Sequence, residues 1–184
     1  MLKYFQEVGR DLFLTGLNNS HSGNLSVRKG DRVVITRRGA MLGRLEGKDL
    51  INISLEKKDS NISLASRESG VHRAIYKETS ALAIVHAHPV HAIALSFLED
   101  EIIPIDAEGA YLLHKIPVLS VGQPIGSREL EKKLPGLLKE NRIVVVRGHG
   151  SFAAGQVLEE ALQWTSSLEN VCRIIYLTRT LKMM

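Results

Sequence analysis

The spacing of apolar residues changes period several times along the chain, and each change predicts an element. Tyr4, Phe5, Val8, Leu12 and Phe13 recur at helical intervals, so residues 2–16 form an amphipathic helix closed by Gly16 and Asn18-Asn19. The small polar run Ser20 to Arg28 reads as a loop entering a strand. Gly30-Asp31 turns the chain into a second strand, Val33 to Thr36, and a third short strand lies within Leu45 to Leu55 before an exposed turn over Lys57 to Asn61. A polar start at Ser66 and a stripe at Val71, Ile75 and Tyr76 predict a helix with Ser66 as N-cap. Ala83 to Ala87 is an apolar strand, and Pro89 opens a helix through His91, Ile93, Ala94 and Leu98.

The second half continues the alternation. Pro104-Ile105-Asp106 and Ile116 to Leu119 read as short strands with prolines at their ends, and Gly122-Gln123-Pro124 as a turn. Ser127 heads a helix with Glu129 and Glu131 in its first turn and Leu134, Leu137 and Leu138 on its buried side. The β-branched run Ile143 to Val146 is a fully buried strand, and Glu159 to Met183 a long helix carrying Leu162, Trp164, Leu168, Val171, Cys172 and Ile175. No repeat, low-complexity stretch or linker divides the sequence. The expectation is one α/β domain over residues 1–184, with a mainly antiparallel central sheet because several strands follow one another through short turns.

Composition narrows the function classes. Of 184 residues, 44% are hydrophobic and 24% charged, which suits a soluble globular protein rather than a disordered one. The net charge of +4 is spread among acidic residues, as in Glu56-Lys57-Lys58-Asp59, so it argues against a nucleic-acid surface and suits a small anionic substrate. Cys172 is the only cysteine and sits in an apolar helical pattern, which excludes an intramolecular disulfide and gives it a core role. Met1 to Leu14 lacks a signal peptide's apolar centre, and no run reaches the ~18 apolar residues of a membrane span. The expected location is the cytoplasm, with no membrane partner.

The candidate chemistry starts at His86-Ala87-His88. On a strand, residues two apart face the same way, so two neutral imidazoles stand side by side, which is half of a metal site. His149, between Gly148 and Gly150 at the end of the Ile143–Val146 strand, is the third ligand candidate. Three imidazoles leave one position of a zinc ion open, the pattern of catalytic zinc, and an open ion polarises a carbonyl or hydroxyl oxygen. Glu68, four residues before His72 and so expected to interact with it or to face one cavity with it from the same helical face, is the carboxylate placed to move a proton beside such a group. Three stretches offer donors to an anion: the Ser22-Gly23-Asn24 loop, the Arg37-Arg38-Gly39 strand end, and the helix start at Ser66-Arg67.

Ser22-Gly23-Asn24-Leu25-Ser26, Glu68 with His72, His86-Ala87-His88 and His149-Gly150 together resemble the class II aldolase and adducin family, over about Leu12 to Ile174. The resemblance implies a three-layer α/β/α fold and one Zn2+ per subunit on His86, His88 and His149. It further implies Glu68 as acid/base, substrate phosphate held at Gly23, Asn24, Gly39 and Ser66, and homotetramers with active sites at subunit interfaces. The implied activity is aldol cleavage of a ketose 1-phosphate such as fuculose 1-phosphate to dihydroxyacetone phosphate and an aldehyde. Epimerisation of a pentulose 5-phosphate, dehydration of a methylthioribulose phosphate, decarboxylation of a sugar-acid phosphate and a non-catalytic adducin-like module are the alternatives. Two departures stand out. Arg38 and Arg67 occupy positions where sugar aldolases have small hydroxyl residues; both are assigned to the phosphate, the alternative being a substrate with an extra acidic group. The family tyrosine that follows the position of Pro117 is missing, Tyr111 being the nearest substitute.

Overall fold

The computed structural model describes residues 1–57 and 59–183, so Lys58, inside the turn expected over Lys57 to Asn61, and Met184, the last residue of the expected domain, lie outside the described residues. The elements in chain order are α1 (Leu2–Leu14), β1 (Asn24–Lys29), β2 (Arg32–Thr36), β3 (Leu50–Ser54), α2 (Ser69–Glu78), β4 (Ala83–Ala87), α3 (Val90–Ser96), β5 (Glu101–Ile102), α4 (Ala107–Leu113), β6 (Ile116–Leu119), α5 (Arg128–Leu138), β7 (Ile143–Val146), β8 (Gly150–Gly155) and α6 (Leu158–Met183). The strands form one eight-stranded sheet in the order β3-β2-β1-β4-β8-β7-β6-β5.

Strand alternation sends side chains to two cores. Ala83, Val85 and Ala87 of β4 pack with Phe5, Leu12, Leu95, Leu168 and Cys172 from α1, α3 and α6. Ile84 of the same strand, with Val144 and Phe152, packs instead with Val71, Ile75, Leu130 and Leu134 from α2 and α5. Cys172 is buried, as its apolar pattern predicted.

The expectation of a mainly antiparallel sheet needs correction, because the sheet is mixed. β6 and β7 pair in parallel, Val118 opposite Val145, while the other pairs are antiparallel. The physical reason is the connection: β6 reaches β7 only through α5, and a strand–helix–strand crossover returns the chain in the same direction. The expected strand at Pro104-Ile105-Asp106 is also absent; these residues lead into α4, where the Asp106 carboxylate accepts the Gly109 N–H at 2.8 Å as an N-cap. β8 and α4 are elements the periodicity did not announce.

β4 lies mid-sheet between β1 and β8, with His86 in register with Asn24 on one side and Phe152 on the other. Its C-terminal end delivers His86 and His88 to the edge of the sheet where β1 begins. The β7–β8 turn delivers His149 to the same edge.

Candidate functional site

The three imidazoles converge. The ring centroids of His86 and His88 are 4.8 Å apart, those of His86 and His149 4.7 Å, and those of His88 and His149 5.1 Å. One nitrogen from each lies within 4.8 Å of the others. His86 Nε2 and His88 Nε2 are 3.1 Å apart; two nitrogens bound tetrahedrally to one zinc at about 2.0–2.1 Å would sit about 3.3 Å apart.

Protonation is fixed by the surroundings. His86 Nδ1 lies 2.9 Å from the Ser151 carbonyl, an acceptor only, so Nδ1 carries the proton and Nε2 presents its lone pair to the cluster. The His86 ring stacks on Phe152 at 4.1 Å. Burial first, then the neighbouring imidazoles, hold His86 well below the usual histidine range, and burial holds His88 low as well. His149 is lowered to about 4, by burial and then by His88, with the Pro124 carbonyl opposing that fall. Three neutral, lone-pair-bearing rings at this spacing fit a divalent cation.

Glu68 caps the same opening. It is the N-cap residue of α2 and only 3% exposed, with Oε1 4.0 Å from His149 Nε2. The Gly126 backbone N–H donates to both carboxylate oxygens, at 3.0 and 3.1 Å. Burial raises the carboxyl to about 7, with the Gly126 N–H opposing that rise and Glu131 adding to it. A carboxyl poised near neutrality suits proton transfer. Gly126 itself has φ +55°, and a Cβ there would meet the Arg67 carbonyl at 2.7 Å, so the position takes only glycine without strain.

All ten residues singled out from the sequence line one cleft of about 290 Å³: Gly23, Asn24, Arg38, Gly39, Ser66, Arg67, Glu68, His86, His88 and His149. Depressions of comparable or larger size elsewhere gather no such chemistry; the one of about 530 Å³ between α1 and α6 is lined by Glu7, Arg10, Asp11, Glu159 and apolar side chains. The arginine-bearing side of the cleft is built by backbone pairing: Ser66 N–H donates to the Thr36 carbonyl and Arg38 N–H to the Leu64 carbonyl, which lays the Arg38-Gly39 turn beside Ser66-Arg67. Arg37 is tied to Asp49 at 2.9 Å, whereas Arg38 and Arg67 are exposed and make no ion pair among the described residues.

Three details of the sequence reading change. Ser66 is not the N-cap of α2, which begins three residues later at Ser69; its hydroxyl accepts the Glu68 N–H at 3.2 Å. His72 does not pair with Glu68: it is fully buried, and its Nδ1 lies 2.7 Å from Ser26 Oγ, which also meets Tyr76. Tyr111 is 78% exposed on α4 and does not line the cleft of its own chain. Sequence reasoning also missed Gly126 and Asn18. The Asn18 Oδ1 accepts the His88 N–H at 3.0 Å and the Ser22 hydroxyl at 3.3 Å, so it joins the small polar loop to the histidine strand. Its only signal was an asparagine pair after a helix, which reads as a stop.

The sequence profile of the class II aldolase and adducin N-terminal domain matches residues 3–176. The chain belongs to this family. Among its class II aldolase relatives, L-fuculose phosphate aldolase of Escherichia coli is 32% identical over 168 residues, covering 89% of this chain and 76% of that protein. The 3-oxo-tetronate 4-phosphate decarboxylase of Haemophilus influenzae is 29% identical over 177 residues, covering 92% and 84%. The crystal structure of L-fuculose-1-phosphate aldolase from Thermus thermophilus superposes with a TM-score of 0.94 at 37% identity, covering 98% of this chain and 95% of that one.

Proposed function

We propose that this class II aldolase-family chain is a metal-dependent lyase that cleaves a ketose 1-phosphate, of the fuculose 1-phosphate kind, into dihydroxyacetone phosphate and an aldehyde. The observation that carries the reading is the convergence of three neutral imidazoles, one near-neutral carboxyl and two unpaired guanidiniums on a single cleft. His86, His88 and His149 would hold one divalent ion, which we take to be Zn2+ because three imidazoles with an open position is its catalytic pattern. Such an ion supplies Lewis-acid polarisation of a carbonyl oxygen.

The chain's own residues do the rest. Arg38 and Arg67, with Gly23, Asn24, Gly39 and Ser66, bind the phosphate and fix the sugar's orientation, since a guanidinium meets phosphate oxygens with paired donors. Cleavage of the C3–C4 bond, with the C4 hydroxyl proton passing to solvent water as the aldehyde C=O forms, leaves an enediolate of dihydroxyacetone phosphate, and protonated Glu68 returns a proton to its C3. In the reverse direction Glu68 removes that proton, and Gly126 holds the carboxylate in place meanwhile.

The family's α/β/α layering and a single domain over residues 1–184 are supported by the two cores on opposite sheet faces. A homotetramer is supported by large exposed apolar side chains such as Phe97, Leu98 and Tyr111. No described helix is long and apolar enough to cross a membrane, and we place the protein in the cytoplasm.

The test is solvent exchange of the C3 proton of dihydroxyacetone phosphate, followed by NMR in D2O. The metal-loaded protein should catalyse exchange and Glu68→Gln should not; exchange that survives in Glu68→Gln removes Glu68 from the base role. A second reading, decarboxylation of a sugar-acid phosphate, is favoured by the two free guanidiniums, one of which would take the carboxylate. Product analysis with ketose phosphates and 3-oxo acid phosphates separates the two.

A further inference from the structure

The position of His149 depends on a group outside the cleft. Arg147 lies two residues before it, in the turn that joins β7 to β8. The His149 N–H returns to the Val146 carbonyl at 3.0 Å, and Gly148 has φ +67°, which together fit a type II turn. The turn presents the His149 side chain, only 8% exposed, to the cleft, so whatever holds the turn bears on where the imidazole sits.

The Arg147 side chain is only a quarter exposed, and its guanidinium makes four hydrogen bonds. Its Nε donates to Ser120 Oγ at 2.6 Å, Nη1 to the Ser96 carbonyl, and Nη2 to the Glu99 carbonyl at 3.2 Å and to Asp100 Oδ1 at 2.5 Å. Ser96 and Glu99 stand at and just beyond the C-terminal end of α3, where carbonyls lack helical partners. A buried hydroxyl completes the clamp: Ser96 Oγ accepts the Gly148 N–H at 3.0 Å and donates to the Ile93 carbonyl. Phe97 fills the space where a Gly148 side chain would go.

Two separate segments are therefore tied to one guanidinium. The first is α3, whose chain runs on from His88 through Pro89. The second is the loop starting at Ser120, which six residues later presents Gly126 to Glu68. Both are thereby joined to the His149 turn, which carries the guanidinium and whose start is pinned by Arg147 N–H donating to the Leu119 carbonyl. Lysine at 147 could reach one or two of these acceptors as a point charge, but could not span a hydroxyl, two carbonyls and a carboxylate with a planar fork.

We propose that Arg147, with Ser96, is a positioning residue that holds His149 in ligating geometry and couples it to His88 and to the loop that steadies Glu68. The proposal rests on His86, His88 and His149 forming the metal centre. Outer groups that orient a ligand typically account for about 10–100-fold in metal affinity.

The test is metal affinity, measured on chelator-stripped protein by competition with a chromophoric chelator, using Zn2+ and Co2+, well below the unfolding midpoint. Arg147→Ala should bind about 10–100-fold more weakly than wild type and change the visible Co2+ spectrum, with Arg147→Lys between the two. Ser96→Ala, which removes one hydroxyl and leaves the guanidinium, should weaken binding in the same direction and keeps the test open should Arg147→Ala not fold. Arg142→Ala is the control: that arginine reaches the Leu112 carbonyl and stacks on Trp164, before β7 and away from the turn, and should leave affinity unchanged. Wild-type affinity in both Arg147→Ala and Ser96→Ala, with binding lost in His149→Ala, overturns the positioning role alone. Unchanged binding in His149→Ala overturns the metal centre and the proposal with it.

Discussion

Replacing Glu68 by glutamine should make the metal-free protein more stable at alkaline pH while removing its proton-transfer chemistry. The carboxyl is raised from 4.5 to about 7, chiefly by burial. A carboxyl raised on folding binds its proton more tightly in the native state than in the unfolded chain, so between those two values stability falls as pH rises. The accumulated cost of keeping the buried carboxylate charged at pH 8 is about 3 kcal/mol, at about 1.4 kcal/mol for each pH unit separating the two values. Glutamine has nearly the same shape and no charge. It keeps one oxygen for the Gly126 N–H but turns a neutral amide toward His149, so the net gain should be about 1–3 kcal/mol at pH 8 and close to zero at pH 5. Urea unfolding of chelator-treated wild type and Glu68→Gln at pH 5, 6, 7 and 8 reads this directly, because other titrating groups cancel in the difference. A stability difference that is flat with pH would refute the claim that burial holds this carboxyl near neutrality.

The histidines act with the opposite sign. His72 is held at about 3 by complete burial, so the unfolded chain takes up the proton first and stability is lost as pH falls below about 6.5. His72→Gln should remove about 3 kcal/mol of the destabilisation seen at pH 4 relative to pH 7, read by the same unfolding curves. Arg38→Ala and Arg67→Ala should each lower kcat/KM for a phosphorylated substrate by roughly 10–150-fold, as expected for a charge-assisted hydrogen bond of about 1.5–3 kcal/mol, and leave the unfolding midpoint nearly unchanged because both side chains are exposed. A kcat/KM unaltered in both variants would remove them from the phosphate site. Gly23→Ala places a Cβ 2.4 Å from Asn18 Nδ2 and 2.6 Å from the His86 carbonyl, at φ +74°. It should cost at least about 1–2 kcal/mol in stability and weaken metal binding, and calorimetry of both is the check.

The histidine cluster was legible because strand geometry is strict. His86 and His88 must share a face if Ala83 to Ala87 is a strand, and a histidine between glycines at the end of a β-branched run must sit at a sheet edge. Glu68 was legible for a different reason from the one its spacing suggested. Residues four apart face each other only inside a helix, but Glu68 is the cap, with ψ near 4°, so its carboxylate swings toward the cleft while His72 points into the core at Ser26. The hidden parts were those fixed by distant partners. Gly126 lies 58 residues from Glu68 and Ser151 65 from His86, and in both cases the contact is through backbone, which carries no residue-type signal. The parallel pairing of β6 with β7 was implied by the helix between them, but the short turns elsewhere in the chain outweighed it.

Burial is the common cause of the site's unusual chemistry, and it sets what metal removal should do. Desolvation keeps His86, His88 and His149 neutral, which makes them good ligands, and the fold packs them together, with His86 Nε2 and His88 Nε2 at 3.1 Å. A protein built this way gains stability from a cation that binds only the folded state, by an amount fixed by occupancy: about 2.7 kcal/mol when free metal stands at 100 times its dissociation constant. For a chain of this size that is a rise of roughly 5–10 °C in unfolding midpoint, about 2–4 °C per kcal/mol. Chelation should reverse it in wild type and have no effect on His149→Ala, which already lacks one of the three ligands. Scanning calorimetry with and without chelator decides the matter: a wild-type midpoint indifferent to chelator would mean that the imidazoles are packed together for some purpose other than holding an ion.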